Sequence, residues 1–489
     1  MGASWDDLPV ELKLIVFDFL SPSERNRTMI PRHEDDRHNH HISAYAAVSK
    51  GWQAVFERRI FYGLVLQLSR YGCELCDLRE THEEEARNNK IFTASMWDLF
   101  SILARWRSKD QESTYKSRLI LMLSAYSPSD REHYFRDHRF GDDCKTYYDS
   151  PRIHHHDPFH GWFFGEQVRL DVGPKQRLFG RPLNFDFHHI GASSLPSLPK
   201  LDFVAGLIIP RQFYRPIPRI DLIIRSLPKL EILRYEPWYP IAFDRAWTHE
   251  LDILGILEAL PQTVTKFSGY KDSNDALSRN SRGTFFPVPG SRLAQISQRF
   301  KELDISFIID ARWFFSVLEP FADNSKVDLS WDDLEGLTMT SKLLSSGTGS
   351  EELDSLLGSA AQAALRMPKL QMMELWSGKR GEAYIFRYTR FKDESHIEWW
   401  DTGLVPMTLR PKVIQAWQMV ADRYVRGRLV VKIRNIPPRN IKCRGSILSY
   451  LKRSDRTLTS ASLQQIQWET KELMPVRRQA PAMITAHSV

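Results

Sequence analysis

The residues best suited to chemistry are cysteines and histidines in the first third of the chain. Cys73 and Cys76 are two residues apart, a spacing that lets two thiolates bind one zinc ion, and His82 follows them. Other candidate ligands follow further along: Cys144, His154, His155, His156 and His160. The sequence has no second Cys-x-x-Cys pair, and the first pair directly continues an apolar run that predicts a strand. We therefore expect no metal, with the cysteines in a turn beside the core.

Motifs of common catalytic sites are absent from the sequence. It contains no Gly-rich phosphate loop, no Gly-x-Ser-x-Gly elbow and no His-Glu-x-x-His pair. The stretch GTGS at residues 347–350 lacks the lysine of a phosphate loop. Neighbouring acidic residues such as Asp332 and Asp333 are not placed in a cleft by any pattern. We predict a protein that is not an enzyme and that needs no cofactor.

Aromatic residues beyond two predicted strands are candidate binding residues. Tyr235 and Trp238 lie in RYEPWYP, and Trp376 and Arg380 lie in ELWSGKR. Loops that follow strands commonly carry binding residues, and Trp, Tyr and Arg are the residue types that anchor protein interfaces. We predict that these four residues contact a protein substrate. The alternative for each of them is packing in the core or in a loop.

The elements that must position these residues form a series of strands and helices. GLVLQLSRY (63–71) and RLILMLSAY (118–126) alternate apolar residues with period two, and a helical pattern lies between them. Strand, helix, strand is the pattern of a parallel crossover.

Recurring leucines suggest a repeat. Taking Leu201, Leu230, Leu303, Leu337 and Leu370 as equivalent gives gaps of 29, 73, 34 and 33 residues, and residues 260–270 could hold one further unit. Such a series is typical of an irregular leucine-rich-repeat-like solenoid. Chance Leu-x-x-Leu spacing in an ordinary α/β protein is the alternative. We predict an α/β chain with this solenoid over 63–380, a small α+β cap over 381–468 and a disordered tail over 469–489.

Two amphipathic helices are predicted within residues 1–62. One carries Leu8, Leu12 and Ile15 on its apolar face, with Pro9 in the first turn, and the other carries Val48 and Trp52. Neither helix can bury its apolar face alone, so we expect them to pack together. The polar stretch 22–42, with Pro31 and four histidines, predicts a loop inserted between them.

Residues 5–62 resemble the F-box. The resemblance lies in Leu-Pro-x-Glu-Leu from Leu8, the pair Phe19-Leu20, and Val-Ser-Lys-x-Trp ending at Trp52. The inserted loop is longer than is usual in that family. The resemblance implies a three-helix module that docks onto the Skp adaptor of cullin–RING (SCF) ubiquitin ligases. The adaptor-binding residues would be Leu8, Pro9, Leu12, Ile15, Val48 and Trp52. A helical cap on the next domain is the alternative.

The whole order of segments is similar to a group of filamentous-fungal F-box proteins. This resemblance implies a substrate-recruiting subunit whose repeat region binds a protein substrate, while other subunits transfer ubiquitin. It leaves the substrate unidentified.

Charge distribution suggests a different function. The net charge is +7, but residues 410–489 contain sixteen Lys/Arg against four Asp/Glu. A scaffold or nucleic-acid-associated protein that uses this basic region is the alternative to substrate recruitment, although a solvated basic face is the commoner outcome. We do not expect a nucleic-acid or membrane partner. Without a signal-peptide pattern and with four cysteines, the chain is expected in the cytoplasm, the nucleus or both.

Overall fold

The computed structural model describes residues 63–67, 76–106, 119–126, 156–163, 166–167, 172–190, 197–211, 213–238, 248–271, 287–318, 329–403, 408–425 and 427–472. The predicted F-box-like module and residues 473–489 lie outside this part of the chain.

Thirteen strands occur in the described residues. They are β1 (Gly63–Gln67), β2 (Leu119–Tyr126), β3 (Trp162–Phe163), β4 (Glu166–Gln167), β5 (Val204–Ile209), β6 (Ile232–Tyr235), β7 (Lys266–Tyr270), β8 (Glu302–Asp310), β9 (Gly336–Thr340), β10 (Met372–Lys379), β11 (Glu382–Arg390), β12 (Glu394–Asp401) and β13 (Arg428–Asn435). β3 and β4 form a small hairpin, and the other eleven form one sheet.

The large sheet follows the order of the chain. Its strand order is β1-β2-β5-β6-β7-β8-β9-β10-β11-β12-β13. The strands from β1 to β10 are parallel, β11 is antiparallel to both of its neighbours, and β13 is parallel to β12. The parallel pairing of β1 with β2 confirms the predicted strand–helix–strand unit, and β7 lies where a further unit was expected.

The helices connect successive strands or follow the last one. They are α1 (His82–Trp106), α2 (Val172–Lys175), α3 (Ile220–Arg225), α4 (Thr248–Ala259), α5 (Pro287–Ile296), α6 (Ala311–Phe315), α7 (Ser350–Ala364), α8 (Pro411–Tyr424), α9 (Ser454–Thr457) and α10 (Ser460–Glu472). Within the described ranges, no helix combines the length and the apolar character needed to cross a membrane.

One face of the sheet packs against helices. Five buried apolar residues occupy matching positions on neighbouring strands: Leu233, Phe267, Leu303, Leu337 and Met373. They share one core with helical side chains, including Ile223, Ile256, Leu293, Phe314, Leu357 and Trp417. Because successive strand residues point to opposite faces, the residues between these apolar positions lie on the other face.

The other face packs against residues 436–466, here called the C-terminal segment. This segment contains a 3-10 helix at Arg444–Tyr450, then α9 and most of α10. Its apolar side chains pack against Trp376 and Ile385 of the sheet, forming a second core with Ile436, Ile447, Leu448 and Leu458.

These observations correct the predicted fold class. The chain is α/β, but the predicted leucine-rich-repeat-like solenoid with a separate α+β cap is wrong. β11, β12 and β13, assigned to the cap after residue 380, continue the same sheet, and the C-terminal segment covers a face that solenoids leave open for binding. Leu303 and Leu337 do pair in register. The other leucines taken as equivalent, Leu201, Leu230 and Leu370, precede their strands.

Candidate partner-binding surface

The predicted site residues fall into two groups. The adaptor-binding residues, Leu8, Pro9, Leu12, Ile15, Val48 and Trp52, lie outside the described residues. The predicted substrate-binding residues, Tyr235, Trp238, Trp376 and Arg380, are all described.

Three of those four side chains are interior. Tyr235, Trp238 and Trp376 are buried, so the expected exposed aromatic surface is corrected to core packing. The Trp238 indole donates a hydrogen bond to the Arg211 carbonyl oxygen at 2.5 Å, and Trp376 contacts Phe307 edge to face. Arg380 is exposed in the turn between β10 and β11. The C-terminal segment covers Trp376, which sequence alone placed at a surface.

A row of polar residues crosses the face beneath the C-terminal segment. Eight residues are paired in register from β6 to β13: Arg234, Ser268, Asp304, Thr338, Glu374, Arg387, Glu398 and Lys432. Arg387 lies between two carboxylates, with its Nε 2.7 Å from Glu374 and its Nη1 3.0 Å from Glu398. Although burial raises the pKa of Glu398, the hydrogen bond and charge of Arg387 lower it overall.

The C-terminal segment supplies cations and backbone donors to this polar row. Arg453 forms a bidentate pair with Asp304, with distances of 3.0 and 2.8 Å. The N–H groups of Lys452 and Arg453 donate to Glu374 at 3.0 Å each. Burial raises the pKa of Asp304 although Arg453 opposes the shift. Part of the basic charge of the C-terminal region therefore neutralises acidic groups of the chain's own sheet.

Glu236, just after β6, holds the end of the same segment. Its carboxylate accepts hydrogen bonds from the N–H groups of Arg211, at 3.1 Å, and Thr459, at 2.6 Å, and from the Ser462 hydroxyl. Burial raises the pKa of Glu236 against the effect of these donors. Together with the ion pairs, these bonds occupy the polar groups of this face from β6 to β12.

The free edge of β13 is the exposed feature best suited to a partner. Among the described strands, β13 comes last in the sheet and pairs with β12 alone. The N–H of Ile436, which follows β13, donates to the Asp401 carbonyl oxygen at 2.7 Å. Because backbone groups of successive strand residues point to alternate edges, the groups that point away from β12 belong to Leu429, Val431, Ile433 and Asn435. No backbone hydrogen bond within the described ranges occupies them.

The side chains of β13 give this edge a distinct chemistry. Arg428 and Arg434 are exposed and Lys432 is half-buried, and all three lie on the face of the C-terminal segment. On the opposite face Val431 is 38% exposed and Ile433 is 37% exposed. β13 itself carries no acidic residue. The edge therefore offers unpaired backbone groups between a basic side and an apolar side.

Residues 428–435 were expected within the α+β cap, but they form the last strand in the order of the sheet. The detectable signal was the pattern RLVVKIRN, in which three basic residues are interspersed among apolar ones. Charged residues are a common protection of edge strands, so this pattern indicates an edge.

Comparison with known protein families gives a match over part of the chain. A model of a family of unknown function, DUF6546, matches residues 259–459, which extend from the end of α4 through β13 to Thr459 after α9. No curated protein matches the chain. No solved structure matches it either.

Proposed function

We propose that the protein recruits a substrate to a cullin–RING ubiquitin ligase. The F-box-like residues 5–62 would dock the Skp adaptor, and the β13 edge would bind the substrate. The substrate would present an extended acidic segment that adds to the sheet as a further strand. The chain itself would carry out no bond chemistry.

The open β13 edge is the observation that carries the substrate-binding part of this proposal. Strand addition uses main-chain hydrogen bonds for affinity and alternate side chains for specificity. Each such bond contributes about 0.5–1.5 kcal/mol net, so the four outward residues can support a weak, reversible complex. Charge complementarity selects acidic partners because Arg428, Lys432 and Arg434 flank the added strand.

A proline substitution tests strand addition without breaking the sheet. Val431→Pro removes an outward N–H, a position where edge strands tolerate proline, while Val431→Ala retains that N–H. The probe is a short fluorescein-labelled peptide in which β-branched residues alternate with Glu. We expect anisotropy to show binding to the wild type and to Val431→Ala, and no binding to Val431→Pro.

The outcome that contradicts strand addition is equally specific. Equal binding by a folded Val431→Pro and by the wild type would show that backbone pairing at β13 is not used. Lys432→Glu and Arg434→Glu should each weaken binding of the Glu peptide, and a peptide with Lys in place of Glu should then bind better.

Adaptor docking needs a separate experiment. The full chain is co-expressed with the Skp adaptor beside a Leu12→Asp, Trp52→Ala double variant. We expect copurification with the wild type and its loss with a double variant that keeps the wild-type melting temperature. Failure of the folded wild type to bind the adaptor would refute the ligase role and leave the peptide-binding result standing.

The nucleic-acid alternative receives less support from the geometry. Arg453, in the middle of the basic region, forms an ion pair with Asp304, and Arg456 lies 3.8 Å from Glu302. These acidic residues of the same chain partly neutralise the two arginines. Binding to nucleic acid would weaken steeply with salt, with a logarithmic slope of about −0.7 to −0.9 per phosphate contacted. Mobility shifts with duplex DNA and RNA over a salt series would reveal it.

A further inference from the structure

A histidine lies beside the basic side of the β13 edge. His396, on β12, is paired in register with Val430 of β13, so its imidazole is on the same face of the sheet as Lys432, two residues further along β13. Nδ1 of His396 is 3.1 Å from Nζ of Lys432, and Nε2 is 2.6 Å from Oε1 of Glu394. The imidazole therefore connects a cation of the edge strand to a carboxylate of the strand inside it.

These two contacts define the charge of the imidazole. An ammonium group donates hydrogen bonds and accepts none, so Nδ1 is the acceptor for Lys432. Nε2 then carries the ring proton and donates it to Glu394. In this arrangement His396 is neutral, and the ammonium group of Lys432 lies against β12 rather than toward the open side of β13.

Protonation of His396 is incompatible with its contact to Lys432. An Nδ1 that carries a proton cannot accept a hydrogen bond, and two cations would face each other across the 3.1 Å that separates Nδ1 from Nζ. Glu394 still accepts from Nε2, so the imidazolium keeps its anionic partner. Lys432 has a flexible four-carbon stem, and the repulsion would move its ammonium group away from β12.

Other charged residues surround this group on the same face of the sheet. They are Glu394 and Glu398 on β12, Arg387 on β11, Arg428, Lys432 and Arg434 on β13, and Lys452 in the C-terminal segment. Glu398 is paired with Arg387 at 3.0 Å, whereas Glu394 contacts the imidazole itself. The ring of Phe391, from the turn between β11 and β12, packs on the imidazole with 4.7 Å between the ring centroids. Lys432 is therefore the cation whose position depends directly on the charge of His396.

We propose that His396 positions Lys432 and thereby makes substrate binding at the β13 edge sensitive to pH. This inference rests on the proposed function, because it describes the regulation of the same edge. Neutral His396 holds Lys432 against β12. Protonated His396 releases Lys432 toward the added strand and contributes a positive charge of its own.

The expected direction is tighter binding of acidic segments on mild acidification. Side chains opposite each other on neighbouring strands have Cβ atoms about 4.5–5.5 Å apart, so a Glu of the added strand that lies opposite Lys432 is within reach of its ammonium group. Histidine is the side chain that ordinarily gains its charge between pH 8 and pH 5. A bound acidic strand should in turn favour the protonated form of His396, since the coupling between two binding events is reciprocal.

Peptide binding as a function of pH tests the inference. The probe is the peptide in which β-branched residues alternate with Glu, carrying a rhodamine label because rhodamine emission is insensitive to pH in this range. Its anisotropy is measured with the full chain at constant ionic strength between about pH 8 and about pH 5.5, where the Glu residues of the peptide remain largely ionised. We expect the Kd to fall roughly two- to fivefold over this range, as for one exposed charge contact.

Three variants separate His396 from other causes of pH dependence. His396→Gln retains a side chain that can hydrogen-bond with Lys432 and Glu394 but gains no proton, so its Kd should stay constant. Lys432→Gln should bind more weakly and lose most of the pH dependence. His82→Gln is the matched control, because the side chain of His82 is 89% exposed on α1, and it should keep the wild-type profile. A peptide with Gln in place of Glu should bind equally at all pH values.

The outcomes distinguish this inference from the proposed function. A wild type that binds the peptide with a constant Kd, or more weakly on acidification, overturns the inference and leaves strand addition standing. The same holds if His396→Gln, with the melting temperature of the wild type, retains the wild-type pH profile. A wild type that binds no peptide at any pH refutes the proposed substrate site, and the inference fails with it.

Discussion

Arg387 offers the most direct test of how the polar face is held together. Its guanidinium is buried between Glu374 and Glu398 and also donates from Nη2 to the Tyr450 carbonyl oxygen of the C-terminal segment at 2.5 Å. Replacing Arg387 by Met preserves most of the side-chain volume but removes the guanidinium that donates to two carboxylates and one carbonyl oxygen. Glu374 keeps the N–H donors of Lys452 and Arg453 but loses its cation. We expect Arg387→Met to be strongly destabilising.

The magnitude follows from the two ion pairs. Charges about 4 Å apart attract by about 4 kcal/mol at an effective dielectric constant of 20, which gives roughly 8 kcal/mol for two pairs before desolvation is subtracted. Removing one partner of a buried pair costs about 3–5 kcal/mol in measured cases. With an unfolding entropy of about 2.1 cal/mol/K per residue and with about 310 described residues as the cooperative unit, the melting temperature should fall by about 5–8 °C.

The loss should depend on pH with a definite sign. In the wild type, Arg387 lowers the pKa of Glu398 despite burial, so this carboxylate stabilises the fold above its unfolded pKa, and the stabilisation is lost as pH falls through the folded value. In Arg387→Met the strongest opposing cation is gone, so the pKa of Glu398 is higher than in the wild type, although Lys452 and Lys432 still lower it. The carboxylate of the variant therefore gives the fold less stabilisation above its unfolded pKa, and the deficit relative to the wild type should be larger at pH 7 than near pH 4.

Thermal unfolding followed by circular dichroism at several pH values measures both effects. Arg390→Met is the matched control on the same strand, because the hydrogen bond of Arg390 to the Pro368 carbonyl oxygen is exposed, and it should change stability by less than about 1 kcal/mol. Adding Glu398→Gln to Arg387→Met should restore part of the loss. A deficit below about 1 kcal/mol, or one equal at pH 4 and pH 7, would refute this account of the polar face.

Five further substitutions test three predictions through the melting temperature. Arg453→Met should cost about 3–5 kcal/mol at neutral pH, and the loss should shrink on acidification because burial already raises the pKa of Asp304; a pH-independent loss would contradict this. Gly381→Ala should cost about 1–2 kcal/mol, since Gly381 has a φ of 78° in the β10–β11 turn, whereas Gly358→Ala, in α7 with open space around the new Cβ, should stabilise by about 0.5–1 kcal/mol. Equal effects of the two alanines would show that backbone conformation is not the cause. Gly378→Ala should destabilise the packing of the C-terminal segment, because its Cβ would lie 2.0 Å from Ile447, and Ile447→Val should relieve part of that loss.

Local patterns predicted the strands better than they predicted what covers them. The sequence ELDISF alternates apolar and polar residues, and it forms β8 with Leu303 toward the helices and Asp304 on the other face. No residue near Asp304 in the sequence predicts its ion pair with Arg453, which lies 149 residues later. The spacing of the leucines indicates that one face of each strand is buried, and this is why it suggested a solenoid. The same spacing carries no information on whether the opposite face of the sheet is covered.

The same reasoning explains the outcome for the candidate site. Trp376 follows strand-forming residues and has the composition of an interface anchor, but a distant segment buries it. The unpaired edge of β13 depends on which strand comes last in the sheet, and no local pattern states this order. The Cys76 sulfur lies 3.1 Å from Nε2 of His160, a long-range contact that the spacing of Cys73 and Cys76 does not predict.

Strand order also constrains how the proposed receptor would work. The F-box-like residues lead directly into β1, at one end of the sheet, whereas β13 lies at the other end. Ten strand-to-strand steps of about 4.8 Å place the two edges up to about 50 Å apart. A substrate strand bound at β13 would therefore lie at the edge of the sheet opposite β1. Energy transfer between a label on β1 and the bound labelled peptide should report a separation of up to about 50 Å, and cross-linking of the peptide to β1 would contradict binding at the far edge.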